Sequence, residues 1–259
     1  MSDERPPGGN DAPGSRPSSA LPHPVWEVIL ATAGITAILS LLHNLAGGIS
    51  WVSANLGGLA ALLFVYIATW RVEKTGASLE DFGISYRPLG RSLLWGLGAI
   101  VVVLGLFVAG YLFYYSSVCG QGGPSLLGAL GRDCHRFAGV TAPLRLPKGF
   151  GLRAASELVV VALPEEMFYR GYVQTTLETI WPSGLRIGPG TLGWAALVQA
   201  LLFGFGHFLV DFNPLRLAVA LPALLFAYLR SASGGIGASV LFHAAANLVV
   251  SLLDATYFP

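Results

Sequence analysis

Charged residues are scarce in this sequence. Asp, Glu, Lys and Arg make up 11% of its 259 residues, whereas hydrophobic residues make up 54%. Because a soluble domain carries about 25% charged residues, this composition excludes an ordinary water-soluble fold. Several segments reach the ~20 apolar residues that cross a bilayer as a helix. The sequence therefore predicts an all-α fold, a polytopic transmembrane helical bundle of about seven to eight spans.

Basic residues and cysteines are also few. The formal net charge is +1, and no basic stripe is interleaved with aromatic residues, so nucleic acid is not expected as a partner. The two cysteines, Cys119 and Cys134, do not have the spacing of a zinc or thioredoxin motif. They lie in one polar loop, where they either form a disulfide in an oxidising compartment or remain two free thiols.

Signatures of the common hydrolases are missing. The sequence contains neither the His-Glu-x-x-His helix motif of zinc proteases nor a Gly-x-Ser-x-Gly nucleophile elbow. No cysteine and no Ser/Lys dyad stands beside a base at membrane depth. Nucleophilic serine or cysteine chemistry is therefore disfavoured.

The chain divides into a tail and a membrane-embedded region. Residues 1–24 are rich in Pro, Gly and Ser and predict a disordered N-terminal tail rather than a signal peptide. Residues 25–259 predict the membrane-embedded domain. Its expected spans cover residues 25–46, 51–70, 93–115, 152–180, 192–210, 215–229 and 236–253, and the fourth becomes two if it is split at Pro164.

The basic residues weakly favour a cytoplasmic N-terminus. With that orientation, eight Lys and Arg lie inside (Arg5, Arg16, Arg71, Lys74, Arg87, Arg91, Arg186, Arg230), six lie outside (Arg132, Arg136, Arg145, Lys148, Arg153, Arg216), and Arg170 remains in the membrane. Both cysteines then lie outside, where a disulfide persists. Between the second and third spans, residues 79–84 predict a short amphipathic turn on the membrane surface.

Three charged residues interrupt the fourth span. Glu165, Glu166 and Arg170 fall within six residues of an apolar segment, and a charge at the bilayer centre costs roughly 2.5–3.5 kcal/mol. Glu166 and Arg170 are four residues apart, so they share a helix face and can pair. Glu165 is rotated by about 100° from Glu166, which leaves its carboxylate free for chemistry.

Two later spans carry polar residues at the same spacing of four. Phe203 and His207 share one helix face with glycines between them, and His243 and Asn247 share another with alanines between them. Such small residues let neighbouring helices approach closely. The remaining charged residues near these spans are interpreted as interfacial or structural: Arg153, Glu157 and Asp211.

Each cluster alone has a structural explanation, because a Glu–Arg pair, a histidine or an asparagine can simply hold helices together. Together, the three clusters supply the groups that a hydrolytic active site needs. One carboxylate and one imidazole suffice to activate water, and a second imidazole with an amide can donate to an oxyanion. This combination predicts hydrolysis of a peptide bond within the membrane. A zinc site is the alternative, with Glu165, His207 and His243 as its ligands.

The three clusters in this order resemble the CPBP family of intramembrane endopeptidases, also called the CAAX protease and bacteriocin-processing (Abi) family. The matching motifs are Glu165-Glu166-x-x-x-Arg170, Phe203-x-x-x-His207 and His243-x-x-x-Asn247. The resemblance covers residues 152–253, the expected catalytic core, and residues 79–84 look like the short element that often precedes it. Each motif alone is weak, whereas the ordered set is specific.

The resemblance implies a glutamic protease that needs no cofactor, with zinc as the alternative. Glu165 would be the general base, and His207 would position and polarise the water. His243 and Asn247 would stabilise the oxyanion. Three further residues would support the site. Glu166 and Arg170 would pair, Glu166 would also assist the site, and Phe203 would pack beside it.

The expected substrate is a membrane-embedded protein or peptide, cut near a C-terminal hydrophobic segment, and the lipid bilayer is the other expected partner. Eukaryotic members of the family cut prenylated C-terminal tripeptides, but this short chain looks bacterial, which predicts a multi-pass protein of the bacterial inner membrane. Two rival interpretations are a non-catalytic membrane immunity or binding protein and a small transporter, which the lack of an internal repeat disfavours.

Overall fold

A computed structural model describes residues 24–46, 48–120, 134–182 and 184–259. The predicted N-terminal tail, apart from its last residue, lies outside these ranges. Within them, seven long helical segments follow one another, and a small two-stranded sheet lies between the fourth and the fifth. The predicted all-α membrane bundle is confirmed.

The helices are numbered α1 to α7. Helix α1 is Pro24–Ala46, and α2 is Ser50–Lys74. Helix α3 joins Leu89–Ala99, the π-helical Ile100–Leu104 and Gly105–Gly120. Helix α4 joins Phe150–Ser156, the π-helical Glu157–Ala162, Leu163–Glu166, the π-helical Met167–Val173 and Gln174–Glu178. Helix α5 is Trp194–Asp211, α6 is Ala220–Ser233 after the 3₁₀ turn Pro214–Val219, and α7 is Gly237–Tyr257.

Six of the described segments are long and apolar enough to cross a membrane: Pro24–Ala46, Ser50–Lys74, Leu89–Cys119, Trp194–Asp211, Pro214–Ser233 and Gly237–Tyr257. Helix α4 is not among them because it is too rich in charge. It carries Arg153, Glu157, Glu165, Glu166, Arg170 and Glu178. Residues 168–173 of this helix are completely enclosed by the rest of the bundle.

Helix α4 is continuous through Pro164, so the alternative with eight spans is not observed. Pro164 stands in the first turn of the Leu163–Glu166 segment. Because a proline has no N–H, it cannot donate to the carbonyl of Val160 four residues earlier. The preceding turn widens into a π-helix instead, and a second π-helical turn follows. Such turns inside α-helices are frequent at functional sites.

The main core lies between α1, α2, α4 and α5. Phe64 of α2 packs against Phe168 and Tyr169 of α4, with ring centroids 5.2 and 5.7 Å apart. At one end of this core, the buried Glu27 accepts hydrogen bonds from Arg71 at 2.6 Å and Tyr172 at 2.8 Å. These contacts fix α4 against the first two helices.

Residues 79–84 form the predicted short turn, but it packs into the protein. Phe82 is only 3% exposed. The Thr175 hydroxyl of α4 donates to the Phe82 carbonyl at 3.1 Å, and the Ile236 N–H donates to the Gly83 carbonyl at 2.9 Å. The turn therefore joins α4 to the start of α7.

The carboxylate of Asp81 shapes this turn. The N–H and the hydroxyl of Ser78 donate to Asp81 Oδ2 at 2.9 and 2.8 Å. These hydrogen bonds favour the charged carboxylate and lower the pKa of Asp81 below its ordinary value. Their stabilisation is therefore present at neutral pH and is lost as the pH falls through the folded-state pKa.

An unexpected β-hairpin follows α4. Strand β1, Gly184–Ile187, pairs antiparallel with β2, Gly190–Gly193. Tyr228 of α6 lies against the hairpin, and its hydroxyl donates to the Ile187 carbonyl at 3.1 Å. A Cβ on Gly190 would lie 2.5 Å from the Tyr228 ring, so this close approach requires glycine.

The bundle has two distinguishable ends. The hairpin end holds the hairpin, the starts of α1, α3, α5 and α7, and the turn at residues 79–84. The disulfide end holds the opposite ends of those helices and a disulfide between Cys119, at the end of α3, and Cys134. The two cysteines are thus paired rather than free. The chain after Cys134 rests on the end of α7, where the Ala138 N–H donates to the Tyr257 carbonyl at 2.9 Å.

Candidate active site

Glu166 and Arg170 pair inside the bundle, as their spacing predicts. Arg170 Nη1 donates to Glu166 Oε1 at 2.9 Å, and both side chains are fully buried. The guanidinium carbon lies 4.6 and 4.7 Å from the ring centroids of Phe203 and Phe226. Arg170 also donates to the Ala223 carbonyl at 3.3 Å. Ion pairing, cation–π contact and a carbonyl together compensate for burying this charge.

His243 of α7 lies between the two carboxylates of α4. Its Nδ1 is 2.9 Å from Glu166 Oε1, and its Nε2 is 3.8 Å from Glu165 Oε2. The rotation between the two carboxylates does not take Glu165 out of reach of the ring that Glu166 contacts. The two nitrogens of one imidazole point in different directions, so each can face a carboxylate from a neighbouring helix position.

The partners of His243 restrict its protons. Glu166 Oε1 accepts from Arg170 and lies 2.9 Å from His243, so the hydrogen of that second contact belongs to Nδ1 of His243. Nε2 can then donate only when both ring nitrogens are protonated. The ring itself is fixed by stacking on Phe226, with centroids 4.7 Å apart and planes 18° apart.

Glu165 is the accessible carboxylate of the pair. Its side chain is 15% exposed, whereas that of Glu166 is completely buried. Glu165 Oε2 has no hydrogen-bond partner within the described part of the chain, and 3.8 Å to His243 is too long for a hydrogen bond. Oε2 of Glu166 is unpaired in the same way, so the partial exposure of Glu165, and not the unpaired oxygen, distinguishes the two carboxylates.

Glu165 faces a cavity of about 360 Å³ between α1, α2, α4 and α5. The wall is largely apolar, and His207 of α5 also lines it. Among the apolar lining residues are Leu39, Leu56, Phe64, Val160, Val161 and Val210. The cavity therefore brings one carboxylate and one imidazole to the same apolar space, as hydrolysis by activated water requires.

The hydrogen bonding of His207 leaves one nitrogen available. Its Nδ1 lies 2.9 Å from the Phe203 carbonyl of its own helix. A carbonyl only accepts, so Nδ1 carries the hydrogen and Nε2 of the neutral ring is an acceptor. The Phe203 ring lies 4.4 Å from the His207 ring and 6.2 Å from the His243 ring, so Phe203 separates the two histidines.

Asn247 contacts the carboxylate of Glu157, a residue expected to be interfacial or structural. Asn247 Nδ2 donates to Glu157 Oε2 at 3.0 Å, and Arg153 Nε lies 3.9 Å from Glu157 Oε1. Asn247 does not line the described cavity. The π-helical turn that starts at Glu157 packs against α7 and brings the two residues together. The sequence signal for this contact was Glu157 itself, a third carboxylate two turns before Glu165 on the same helix.

The alternative zinc set does not assemble. Within the described ranges, no three His, Cys, Asp or Glu side chains lie close enough together to hold a metal ion. Glu165 and His243 approach to 3.8 Å, and the hydrogen bond of His207 Nδ1 to its own helix leaves Nε2 as the only nitrogen of that ring that could ligate a metal. The three residues do not fit a metal site in this conformation.

A second, polar cavity of about 290 Å³ lies at the hairpin end. It contains none of the motif residues. Its most prominent charges, Glu178 and Arg230, are paired with each other at 2.9 Å. It is therefore separate from the constellation that the motifs build.

The sequence profile of the family described as Type II CAAX prenyl endopeptidase Rce1-like matches residues 148–249. Residues 148–249 belong to the CAAX protease family. This CAAX protease domain contains every motif residue from Glu165 to Asn247 and covers less than half of the chain. No curated protein and no solved structure matches the chain.

The family and the fold agree. The matched family is one of proteases, and the six candidate membrane spans of the described residues are those of an integral, multi-pass membrane protein. The predicted core at residues 152–253 overlaps the matched segment. The catalytic roles of the individual residues stay predictions.

Proposed function

We propose that the chain is an intramembrane endopeptidase of the glutamic type, in which Glu165 activates water. Its substrate would be a membrane-borne protein or peptide cut near a C-terminal hydrophobic segment, in a bacterial inner membrane. The position of Glu165 carries the proposal: its carboxylate is partly exposed, unlike that of Glu166, and it shares an apolar cavity with His207. Ionisable groups inside a membrane are costly and are typically functional.

The proposed reaction begins with a water bound between Glu165 and His207. Glu165 accepts a proton from this water, and Nε2 of His207 accepts a hydrogen bond from it. The resulting hydroxide adds to the carbonyl carbon of the scissile peptide, and the carbonyl electron pair moves to oxygen. The C–N bond then breaks, and Glu165 returns its proton to the leaving amine.

The oxyanion requires donors in this scheme. His243 serves as one from Nε2 in the state in which both of its ring nitrogens carry a hydrogen. The second is Asn247, whose amide keeps one hydrogen after donating the other to Glu157. Neither His243 nor Asn247 lines the cavity, so these roles require the scissile carbonyl to reach beyond the cavity wall toward α7. Glu166, Arg170 and Phe203 hold these groups in place.

Purified protein and an apolar peptide substrate test the proposal. Glu165→Gln and His207→Ala should each lower kcat by roughly 10²–10⁴-fold, the usual loss of a general acid–base group. Glu73→Gln, a change at an exposed carboxylate of α2, should leave kcat unchanged. Undiminished cleavage by a folded Glu165→Gln protein would rule out the assigned base.

Metal analysis distinguishes the glutamic protease from its zinc-dependent alternative. The glutamic mechanism predicts that the purified protein keeps its activity after chelation. The zinc-dependent alternative predicts stoichiometric zinc, whose removal abolishes cleavage and whose return restores it. That result would reject Glu165 as the base that activates water.

A non-catalytic membrane immunity or binding protein is the second candidate. The complete burial of the Glu166–Arg170 pair favours it, because such a pair can serve packing alone. This candidate predicts that Glu165→Gln leaves the biological function intact while Arg170→Ala lowers stability. Loss of function in Glu165→Gln without loss of stability decides for the peptidase.

A further inference from the structure

The disulfide identifies which end of the bundle faces an oxidising compartment. Cys119 and Cys134 are bonded to each other at the disulfide end. This region is part of the folded bundle, because the Arg145 N–H donates to Thr256 at the end of α7 at 3.1 Å. Disulfides persist outside the cytosol and are kept reduced within it. The disulfide end therefore faces the noncytoplasmic side of the membrane, the orientation that the Lys and Arg count also favours.

The cavity of Glu165 extends to the same end. Val210 and Asp211, at the end of α5, line it, as does Arg216 beyond that helix. The Asp211–Arg216 ion pair is partly exposed, with Arg216 53% accessible. Asn44, near the end of α1, donates to the Val210 carbonyl at 2.9 Å and secures this rim.

The protein is closed in the opposite direction. Below Glu165, toward the hairpin end, α4 continues with Phe168, Tyr172, Val173 and Leu177, each at most 1% exposed. A polar segment of a substrate cannot pass through this packed layer. Access from water to Glu165 and His207 therefore runs from the disulfide end.

We infer that the cavity takes its substrate from the noncytoplasmic side of the membrane. The inference rests on the proposed peptidase function and specifies its substrate class. The apolar wall suits an apolar segment, and the charged rim at Asp211 and Arg216 suits polar residues next to it. The substrate is thus an exported membrane protein or peptide, cut where its apolar segment meets the noncytoplasmic surface, and not a cytoplasmic prenylated carboxyl terminus.

Single cysteines in the full-length protein test the access route, with the native disulfide retained. Ala60 lines the cavity, whereas Leu62 on the same helix is 69% exposed on the outer surface of the bundle. A small, charged, membrane-impermeant thiol reagent should modify Ala60→Cys in intact cells, and this labelling should be lost in inside-out vesicles. Leu62→Cys should resist the reagent from both sides, because a thiol in hydrocarbon does not ionise.

Two further cysteines report the orientation independently of the cavity. Phe212→Cys at the disulfide end should be labelled in intact cells, and Leu185→Cys in the hairpin should be labelled only in inside-out vesicles; both native side chains are exposed. The reverse pattern overturns the inference. So does an Ala60→Cys protein that reacts only from the cytoplasmic side, or only after denaturation.

Single-span reporter substrates separate this inference from the proposed function. One reporter places the junction of apolar and polar residues at the noncytoplasmic surface, and the other places it at the cytoplasmic surface. Glu165-dependent cleavage of only the first supports the inference. Glu165-dependent cleavage of only the second rejects the access route but keeps the peptidase, whereas no Glu165-dependent cleavage of either, even by solubilised protein, rejects the peptidase and with it the substrate class.

Discussion

At the scale of single residues, Arg170 is the best-fixed charge in the site. It is fully buried, paired with Glu166 and held between Phe203 and Phe226. Its planar guanidinium makes an ion pair and two ring contacts at once, which a lysine ammonium cannot reproduce. The same pair fixes Glu166 as the acceptor for His243.

Arg170→Met should lower the free energy of unfolding by about 3–5 kcal/mol, because it leaves the buried Glu166 carboxylate without its partner. Reversible unfolding in detergent micelles measures this loss. The double variant Glu166→Gln with Arg170→Met removes both charges and should regain part of the stability. A single variant as stable as the wild type would show that the pair is not needed for stability.

Glu157 is expected to position Asn247 for the proposed reaction. Glu157→Leu removes the acceptor of the 3.0 Å hydrogen bond, and kcat should fall by about 10–10²-fold, as for a hydrogen bond to a charged group worth about 1.5–3 kcal/mol. Glu157→Gln keeps an acceptor oxygen and should retain most of the activity. KM should not change in either variant.

The matched test is a double-mutant cycle. If Glu157 acts through Asn247, then Glu157→Leu should add little to the loss in Asn247→Ala. Additive losses would mean that Glu157 acts independently of the amide.

At the scale of elements, helix α4 is organised by its π-helical turns. One precedes Pro164 and the other follows Glu166, so both carboxylates stand on a short α-helical segment between two wider turns. The first turn packs against α7 and presents Glu157 to Asn247. The two π-helical turns therefore set the position of the segment that carries Glu165.

Pro164→Ala restores the N–H that can donate to the Val160 carbonyl, so the preceding turn should tighten into a regular α-helix. Because this rotates Glu165 relative to Glu157, kcat should fall by roughly 10–10²-fold while the unfolding temperature stays the same or rises. Kinetics and thermal unfolding of the purified protein measure both. Pro222→Ala, at an exposed proline in the first turn of α6, should leave kcat unchanged. Equal activity of Pro164→Ala and the wild type would contradict this account.

At the scale of the whole molecule, the two ends of the bundle differ in chemistry. At the hairpin end, packed side chains of α4 separate Glu165 from the second, polar cavity, and the turn at residues 79–84 joins α4 to α7. The disulfide end carries the cavity rim and the covalent link between Cys119 and Cys134. The site is therefore open toward one end of the bundle and separated from the other.

Reduction of the disulfide should lower the free energy of unfolding by about 3 kcal/mol, as expected for cysteines 15 residues apart. Thermal unfolding with and without reductant measures the change. The double variant Cys119→Ser with Cys134→Ser should be equally destabilised and insensitive to reductant. A wild type whose stability does not respond to reductant would contradict the pairing.

Much of the fold was predictable because the bilayer requires long apolar segments, which are legible in a single sequence. The hairpin at Gly184–Gly193 was not, because its strands are short and the Gly190 contact with Tyr228 depends on another helix. The pairing of Glu166 with Arg170 was predictable because both lie on one helix at a fixed spacing.

The sequence by itself determined the membrane class, the order of the helices and the residue types of the site, since these follow from composition and from spacing within one helix. Only the tertiary structure decided that His243 lies between both carboxylates, that Asn247 meets Glu157, and that Glu165 and His207 share a cavity reaching the disulfide end. Each of those contacts joins different helices. Their rotation and depth are set by side-chain packing and by the π-helical turns of α4, which no local periodicity encodes.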